Sequence, residues 1–532
     1  MRKYLPTMSH RPAASCEPRR VQCDNGPWPL HSAAASRVVE SAALASAAPQ
    51  SLMQRAGLAV ARLALATAPH AQRVAVLAGP GNNGGDGLVA ALHLHRAGRE
   101  VRVHLLADLT RLPADAADAL QCALAGGVLV SSGPLVLDGA DLVIDALLGL
   151  GARPLQPGAI ADAVAHINAS RSPVLAVDLP SGLNPDTGQP NGQAAVRATA
   201  TLSLLTLKPG LFTGAGRDHA GVVWFDGLGI APLSTHITAF LITAADAQAV
   251  LQSRPHTSHK GSFGDLAVVG GAPGMTGAAW LAARSALPAG AGRVYVSLLD
   301  EHAAMLDPLR PELMLRNAWW RAPPAVLLAA TVVAGCGGGT DIAAALPALL
   351  SQAGRLVLDA DALNALAADP ALLALLTARA ARGRPTVLTP HPLEAARLLG
   401  CSAMEVQHDR LTAAQALADR HRCVVVLKGS GTVVADAGAL PCVNPTGNAL
   451  LASAGTGDVL AGWIGGLWAA GQPSITSAQA ACAAVWLLGR AADRQAARRG
   501  GALPLRAADL IDAMRDAIHD AIHDAMHDAA QF

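Results

Sequence analysis

Aromatic residues are scarce in this chain, at 3% of 532 residues, with two tyrosines and five phenylalanines. Little is left from which to build stacking platforms for nucleic-acid bases. Charge is equally sparse: Asp, Glu, Lys and Arg make up 15%, and the two signs cancel to +1. That removes the basic footprint of a nucleic-acid or anionic-membrane binder. The eight cysteines (Cys16, Cys23, Cys122, Cys336, Cys401, Cys423, Cys442 and Cys482) contain no C-x-x-C pair. A structural zinc site and a disulfide framework are therefore not expected, and a cytoplasmic location is. The opening MRKYLPTMSHRPAASCEPRR lacks the apolar core of a signal peptide, and runs such as Ala325 to Gly335 are too short to span a bilayer.

What is present is 52% hydrophobic residues and 52 glycines, the composition of tightly packed α/β layers. The length calls for two or three domains. Val74 to Gly87 reads VAVLAGPGNNGGDG, a strand entering a Gly/Asn turn, and the helical spacing of LVAALHLHRAG and the strand VRVHLLA follow. This β-α-β unit puts its loop at the carboxyl end of a strand, where open sheets bind ligands. The dinucleotide pattern G-x-G-x-x-G is absent, so a conventional NAD oxidoreductase is not expected. Asp145 follows an apolar strand in DLVIDALLGL, and Asp178 and Ser181 follow another in VLAVDLPSGLNPDTG. Parallel strand ends converge, so Asn83, Asp145, Asp178 and Ser181 are expected as neighbours. Their oxygens suit a hard cation, with a carboxylate to spare for proton transfer. Capping of the following helices is the blander reading of these acids.

Periodicity weakens between Gly227 and His259, and strands alternate with helices again beyond it. Strands end at Gly335 to Gly339, at Asp359 and Asp361, before His391, and at Lys428 to Thr432. KGSGT lacks the order of a Walker loop. Asn444 to Asp458 reads NPTGNALLASAGTGD and runs into the apolar VLAGWIGGLWAAG. Small residues at a helix mouth let free amides and the helix dipole hold an oxyanion or phosphate. Asp458 stands ready there to take a proton from a hydroxyl. The pattern points to phosphoryl transfer to an alcohol.

GPGNNGGDG, DALLGLG and VDLPSGLNPDTG, with LMQRAG and LTLKPGL, resemble the epimerase half of the bifunctional NAD(P)H-hydrate repair enzymes. HKGSFG, TPHPLEAARL, LKGSGT and NPTGN…AGTGD resemble the ADP/ATP-dependent NAD(P)H-hydrate dehydratases of the ribokinase superfamily. The resemblance implies an α/β protein, a Rossmann-like three-layer domain followed by a ribokinase-like one. The expected boundaries are a loose extension over 1–26, the epimerase over 27–232, the dehydratase over 233–512 and a helical low-complexity tail over 513–532. The implied activity interconverts R- and S-NAD(P)HX, then dehydrates the S epimer at the expense of ADP, releasing AMP and phosphate.

By the same resemblance Asn82, Asn83, Gly84, Gly85 and Asp86 contact the hydrate, with Gly149, Leu150, Gly151, Ala152, Arg153, Pro154 and Leu155. Asp178 is catalytic and binds substrate, while Asn83, Asp145 and Ser181 hold K⁺. In the second half Asp458 is the catalytic base, and Ala279, Gly337, His391 and Asp458 bind the hydrate. Lys428, Gly429, Ser430, Gly431, Thr432 and Gly457 bind the nucleotide, taken as ADP with Mg²⁺. The substrates NADHX and NADPHX and the co-substrate ADP are the implied partners, without nucleic acid or membrane, in a homo-oligomer. Two departures stand out: the family's GPGLG is Gly335-Cys336-Gly337-Gly338-Gly339, and NPTGNPG is NPTGNAL.

A ribokinase-type vitamin-pathway kinase fused to a non-catalytic nucleotide-binding domain explains AGTGD but not the upstream loops. A non-catalytic nicotinamide-nucleotide sensor has no need of both Asp178 and Asp458. His519, His523 and His527 recur every four residues, but the low-complexity setting favours an amphipathic tail over a metal site. Cys336 has no visible His partner that would make it a nucleophile, and Lys208 in LKPG reads as a solvated turn residue as readily as a ligand.

Overall fold

The computed structural model describes residues 17–21, 26–46, 48, 51–151, 156–230, 236–251, 254–471, 474–499 and 504–530. The chain divides into two compact units, one comprising the described residues of Met1–Gln22 and Pro27–Phe240 and the other those of Cys23–Gly26 and Leu241–Phe532.

The first unit is built on the strands Arg19–Arg20 (β1), Arg73–Ala78 (β2), Glu100–Leu105 (β3), Leu129–Ser131 (β4), Leu142–Ala146 (β5), Val174–Val177 (β6), Ala200–Leu204 (β7) and Val222–Asp226 (β8). They lie in the order β1-β8-β7-β6-β5-β2-β3-β4, parallel except for β1 against β8. The strands alternate their side chains between two cores, as a pleated strand buried on both faces must. Val74, Val76 and Ala78 of β2 meet the helices Ser51–Thr67 and Asn82–Arg96, while Leu77 packs with Val164 and Ile167 of Ala159–Ala169. This is the expected Rossmann-like three-layer arrangement. The glycine of LMQRAG is explained by close helix approach: a Cβ on Gly57 would lie 2.4 Å from Val89. The chain builds outward from β2 through β3 to β4, then returns to place β5 on the other side of β2. The carboxyl ends of β2 and β5 therefore flank the topological switch point, where open sheets leave a crevice.

The second unit repeats this logic with Asp265–Gly270 (β9), Arg293–Leu298 (β10), Met314–Leu315 (β11), Thr331–Ala334 (β12), Arg355–Leu358 (β13), Thr386–Leu388 (β14), Val424–Leu427 (β15), Val433–Asp436 (β16) and Cys442–Val443 (β17). Their order is β11-β10-β9-β12-β13-β14-β15-β16-β17, parallel up to β15 and antiparallel beyond. The switch point falls between β9 and β12. Leu266 and Val268 face one core with the helices Thr276–Ala286, Thr456–Ala470 and Ser477–Arg499, and Ala267 and Val269 face the other. Thr456–Ala470 is buried from Val459 to Ala469. That explains its all-round apolar sequence, and a Cβ on Gly462 would lie 2.0 Å from the Ala282 carbonyl oxygen. The helix Ala507–Ala530 passes residue 513 unbroken, with Met514 and Ala517 buried. The side chains of His519, His523 and His527 lie outside the described residues. Among the described residues no single helix is long and apolar enough to cross a membrane; one bent pair, Asp361–Ala368 with Pro370–Ala381, passes on length and composition.

Two candidate active sites

The first site forms at the switch point of the first sheet. β2 ends at Ala78, and the chain turns through Gly79 to Gly81 into the helix that starts at Asn82. The turn is tight: a Cβ on Gly79 would lie 1.7 Å from the Leu147 carbonyl oxygen, and one on Gly84 2.1 Å from that of Gly79. This helix has no side-chain cap, so its first amides face the crevice. Asn82 is exposed, while Asn83, Gly84 and Gly85 are buried. The Asn83 Nδ2 finds no hydrogen-bond partner, and Asn83 packs against Gly149, whose added Cβ would sit 3.4 Å from its amide.

Asp145 at the end of β5 is fully buried. Its carboxylate accepts from Ser181 Oγ at 2.6 Å, Ser181 N at 2.8 Å and Leu147 N at 3.2 Å. Leu148 N in turn donates to Ser181 Oγ at 2.9 Å. Burial pushes the Asp145 carboxyl up to about 6 against those hydrogen bonds, which leaves room for a cation to restore its charge. Asp145 and Ser181 are thus joined directly, and Asn83 reaches the adjoining loop through Gly149. Leu150 and Gly151 continue that loop; Ala152, Arg153, Pro154 and Leu155 lie outside the described residues.

Asp178 follows β6 with φ of 66°, a left-handed conformation costly for a non-glycine residue. Leu204 N donates to its Oδ1 at 3.1 Å, and the Lys208 ammonium donates to the same oxygen. Lys208 is not a solvated turn residue but is 0% exposed, with further bonds to Leu204 O at 3.0 Å and Ser203 Oγ at 3.3 Å. Burial and the negative charges of Asp178 and Glu40 hold Asp86 well above the usual carboxylate range. Glu40, from the helix Ala33–Ser46, escaped the sequence reading because that segment carries no glycine motif.

The second site lies at the switch point of the second sheet. Gly335, Gly337 and Gly339 all have positive φ, so the glycines of GCGGG supply conformations that other residues resist. Cys336, between them, is buried and aimed at two carboxylates. Its Sγ and the carboxylate oxygens of Asp359 and Asp458 lie within 4.8 Å of one another. Burial, then Asp458 and Asp359, push the Cys336 thiol well above its ordinary value. Asp359, 1% exposed at the end of β13, accepts from Lys428 Nζ at 2.6 Å and Thr389 Oγ1 at 2.7 Å. Lys428 also lies 4.0 Å from Glu394 Oε2. Burial opposes its charge, but Asp359 and Glu394 outweigh that and hold its pKa above the ordinary value.

His391 caps the helix Pro392–Leu399, its Nδ1 accepting from Leu393 N at 3.1 Å and its own amide donating to Glu394 at 2.8 Å. Burial, then Lys428, lower the His391 pKa, consistent with a neutral ring that accepts. Burial raises Glu394 to about 7.

Asp458 sits in the first turn of Thr456–Ala470, a helix with no side-chain cap whose Gly455 is left-handed. Burial, followed by Asp359, raises its carboxyl to about 7. Gly457 faces Lys428: an added Cβ would lie 3.3 Å from Nζ. The chain Lys428 to Thr432 is held from behind by buried Arg410, which donates to Leu427 O at 3.0 Å and Lys428 O at 3.2 Å. Gly429 and Gly431 have positive φ, and Thr432 Oγ1 closes the turn on Gly429 O at 3.0 Å. Lys428 therefore faces carboxylates rather than solvent. Gly337 approaches the Met275 carbonyl, and Ala279 is fully buried, where an added Cβ on Gly271 would lie 3.1 Å from its methyl. Asp359 and Glu394 were not singled out as ligand residues in the sequence; their signals were a strand-end acid and a capping glutamate three residues after His391.

NPTGNAL forms a short 3₁₀ turn, Ala449–Leu451, capped by Asn448, instead of a Pro-Gly turn. Asp493 secures it, accepting from Gly447 N at 2.9 Å and Asn448 Nδ2 at 2.8 Å.

A family model described as NAD(P)H-hydrate dehydratase matches residues 266–514, and one described as YjeF-related protein N-terminus matches 49–210. The chain is 40% identical over 457 residues to the bifunctional NAD(P)H-hydrate repair enzyme Nnr of Escherichia coli, covering 84% of this chain and 86% of that one. It is 38% identical over 473 residues to the protein of that name from Coxiella burnetii, covering 87% and 94%. Among solved structures it is similar to the ADP/ATP-dependent NAD(P)H-hydrate dehydratase of Bacillus subtilis co-crystallised with ATP/Mg²⁺. That match has 29% identity and a TM-score of 0.45, covering 53% of this chain and 98% of that one.

Proposed function

The chain belongs to the family of bifunctional NAD(P)H-hydrate repair enzymes, and on that footing we propose how its two sites divide the work. The first unit epimerises R- and S-NAD(P)HX; the second dehydrates the S epimer to NAD(P)H. The vitamin-kinase alternative gains no support, because the bifunctional relatives match across both halves. The observation that carries the reading is Asp458: a carboxyl raised to about 7 at an uncapped helix N-terminus, beside the Lys428–Asp359 pair. A base of that pKa is half ionised at neutral pH and takes a hydroxyl proton efficiently. The adjoining amides receive the phosphoryl oxygens.

In the second site Gly457 and the loop Lys428, Gly429, Ser430, Gly431 and Thr432 bind the nucleotide, with ADP as the co-substrate. Asp458, His391, Gly337 and the backbone around Ala279 hold the hydrate. Mg²⁺ bound with the nucleotide would screen its phosphates. In the first site Asp178, held by the Lys208 ammonium, binds the hydrate near the reacting carbon and serves its proton transfer. Asn82 to Asp86 and Gly149 to Gly151 contact the ring and phosphates. Asn83 Oδ1, Asp145 and Ser181 Oγ would offer a cation oxygen donors, and the buried Asp145 carboxyl, pushed up to about 6 by burial, is a group whose charge K⁺ would stabilise. Cytoplasmic location, self-association, and the absence of nucleic acid and membrane among its partners belong to the same proposal, which the +1 charge supports.

The test supplies chemically hydrated NADH with ADP and Mg²⁺ and follows the absorbance of reduced nicotinamide. Both epimers are expected to be consumed. Asp458→Asn should abolish the absorbance gain and keep epimer exchange, while Asp178→Asn should do the reverse. Loss of both activities in either variant would defeat the assignment of two independent sites.

A further inference from the structure

The helix Ala33–Ser46 precedes both stretches matched by the family models. It is nevertheless bonded to three loops of the first site. Ala33 N donates to Asp186 Oδ1 at 2.7 Å, Ser36 Oγ pairs with Thr206 Oγ1 at 2.8 Å, and Arg37 Nη2 donates to Leu150 O at 3.0 Å. These loops follow β6, lead into Lys208 and follow β5 respectively. Glu40 lies one turn beyond Ser36 on the same helix face, flanked by buried Val39 and Ala43. Because the partner of Ser36 stands two residues before Lys208, that turn brings the Glu40 carboxylate alongside the Asp178–Lys208 pair. The charged groups facing it are Asp178, Lys208, Arg37 and Asp86.

Lys208 directs its hydrogens at Asp178, Ser203 and Leu204. None is left to pair with Glu40 or Asp86. Three carboxylates then share a pocket with one ammonium, and like charges so placed do not all ionise. We propose that Glu40 is a positioning residue of the epimerase, which with Asp86 keeps one proton beside the Lys208-bound Asp178, so that acid and base are present together. The proposal rests on the epimerase reading above. Inversion at a hydroxylated carbon next to the ring nitrogen requires such a pair. The acid protonates the hydroxyl, and the C–O bond breaks with its electrons leaving on water, while the nitrogen lone pair stabilises the cation. Water then adds from the opposite face and gives a proton to the base. One proton enters, one leaves, and nothing is oxidised. Burial, then the charge of Asp178, raises the Glu40 pKa, in keeping with this role.

The experiment measures R-to-S exchange of hydrated NADH by the full chain without nucleotide, across pH, for wild type, Glu40→Gln and Glu40→Asp. Glu40→Gln should lower kcat about 10- to 100-fold with little change in KM. Its alkaline limb should move to lower pH, because removing a negative neighbour lets Asp86 give up its proton more easily. Glu40→Asp should recover most of the rate with the limb in place. Dehydration of the S epimer by the same preparations should be unchanged, which reports a folded chain. A Glu40→Gln protein with wild-type exchange, or one slowed without any movement of the limb, would overturn the proposal. If wild type itself exchanged no epimers, the epimerase reading would fall instead.

Discussion

Replacing Lys428 by Met keeps most of the aliphatic stem and removes the ammonium that lies 2.6 Å from Asp359 and 4.0 Å from Glu394. Asp458 is the group whose response matters. Its carboxylate lies within 4.8 Å of that of Asp359. At an effective dielectric of about 20, a unit charge roughly 7 Å away is worth about 2.4 kcal/mol, or about 1.7 pH units. Water and counter-ions entering the vacated space will screen part of that, leaving a shift of about one unit. The sign is fixed: Lys428 lowers the Asp458 pKa, so its removal raises it from about 7. The acidic limb of kcat/KM for the hydrate, along which the rate falls about tenfold per unit as the base is protonated, should move to about pH 8. Its position, read from nicotinamide absorbance at saturating ADP and Mg²⁺, is a better measure than the rate, because Lys428 also adjoins the nucleotide loop. Asp359 is left buried without its cation, with Thr389 and the Cys336 thiol still bonded to it, which costs about 3–5 kcal/mol, so folding is checked first by thermal unfolding. A limb that stays in place or moves to lower pH would refute Asp458 as the base held by this charge cluster.

Cys336 should resist iodoacetamide in the native protein, because burial and two carboxylates keep it a thiol, while exposed Cys122 and Cys401 react; mass spectrometry of alkylated peptides would expose the opposite pattern. Asp493→Ala removes the carboxylate that accepts from the Gly447 amide and the Asn448 side chain. It should cost about 1–3 kcal/mol, visible as a lower unfolding midpoint, and it should raise KM in the dehydration; no change in either quantity would contradict the clamp. Asn83→Ala should raise the K⁺ concentration needed for half-maximal epimer exchange while sparing dehydration. An unaltered K⁺ response would remove Asn83 from the cation site.

Strand ends were the most legible part of the sequence. A parallel strand buried on both faces reads as a continuous apolar run, and the residue after it is exposed to the crevice. Asp145, Asp178, Asp359 and Lys428 could each be placed this way, and the structure puts all four at carboxyl ends. Their partners were harder to see. Lys208 carries no strand signal and sits in a Pro-Gly turn, so only the folded loop reveals that it is buried against Asp178. Glu40 lies on a helix whose polar residues look like any solvated face, and three hydrogen bonds from distant loops define its orientation. The glycines at 335, 337 and 339 carry positive φ values that the sequence does not announce, and the path they take places the Cys336 thiol beside Asp359 and Asp458.

The two sites solve the same electrostatic problem with different lysines. Each gathers three carboxylates about one ammonium: Glu40, Asp86 and Asp178 about Lys208, and Asp359, Glu394 and Asp458 about Lys428. Burial first, and neighbouring negative charge after it, raise Glu40 and Asp86 in one pocket and Glu394 and Asp458 in the other, which brings proton transfer nearer to neutral pH. The lysines differ in what else they can do. Lys208 is sealed, its side chain 0% exposed, with bonds to Asp178, Ser203 and Leu204. It is a fixed counter-charge, suited to a reaction that moves protons and leaves the net charge unchanged. Lys428 is 19% exposed and looks onto Gly457 at the mouth of an uncapped helix. A phosphate arriving there would meet the ammonium and the helix amides together, and would compete with Asp359 for the lysine. An anion bound there would therefore be coupled to Asp458: as Lys428 turned toward phosphate, the carboxylates would lose part of their counter-charge, and Asp458 would hold its proton more tightly.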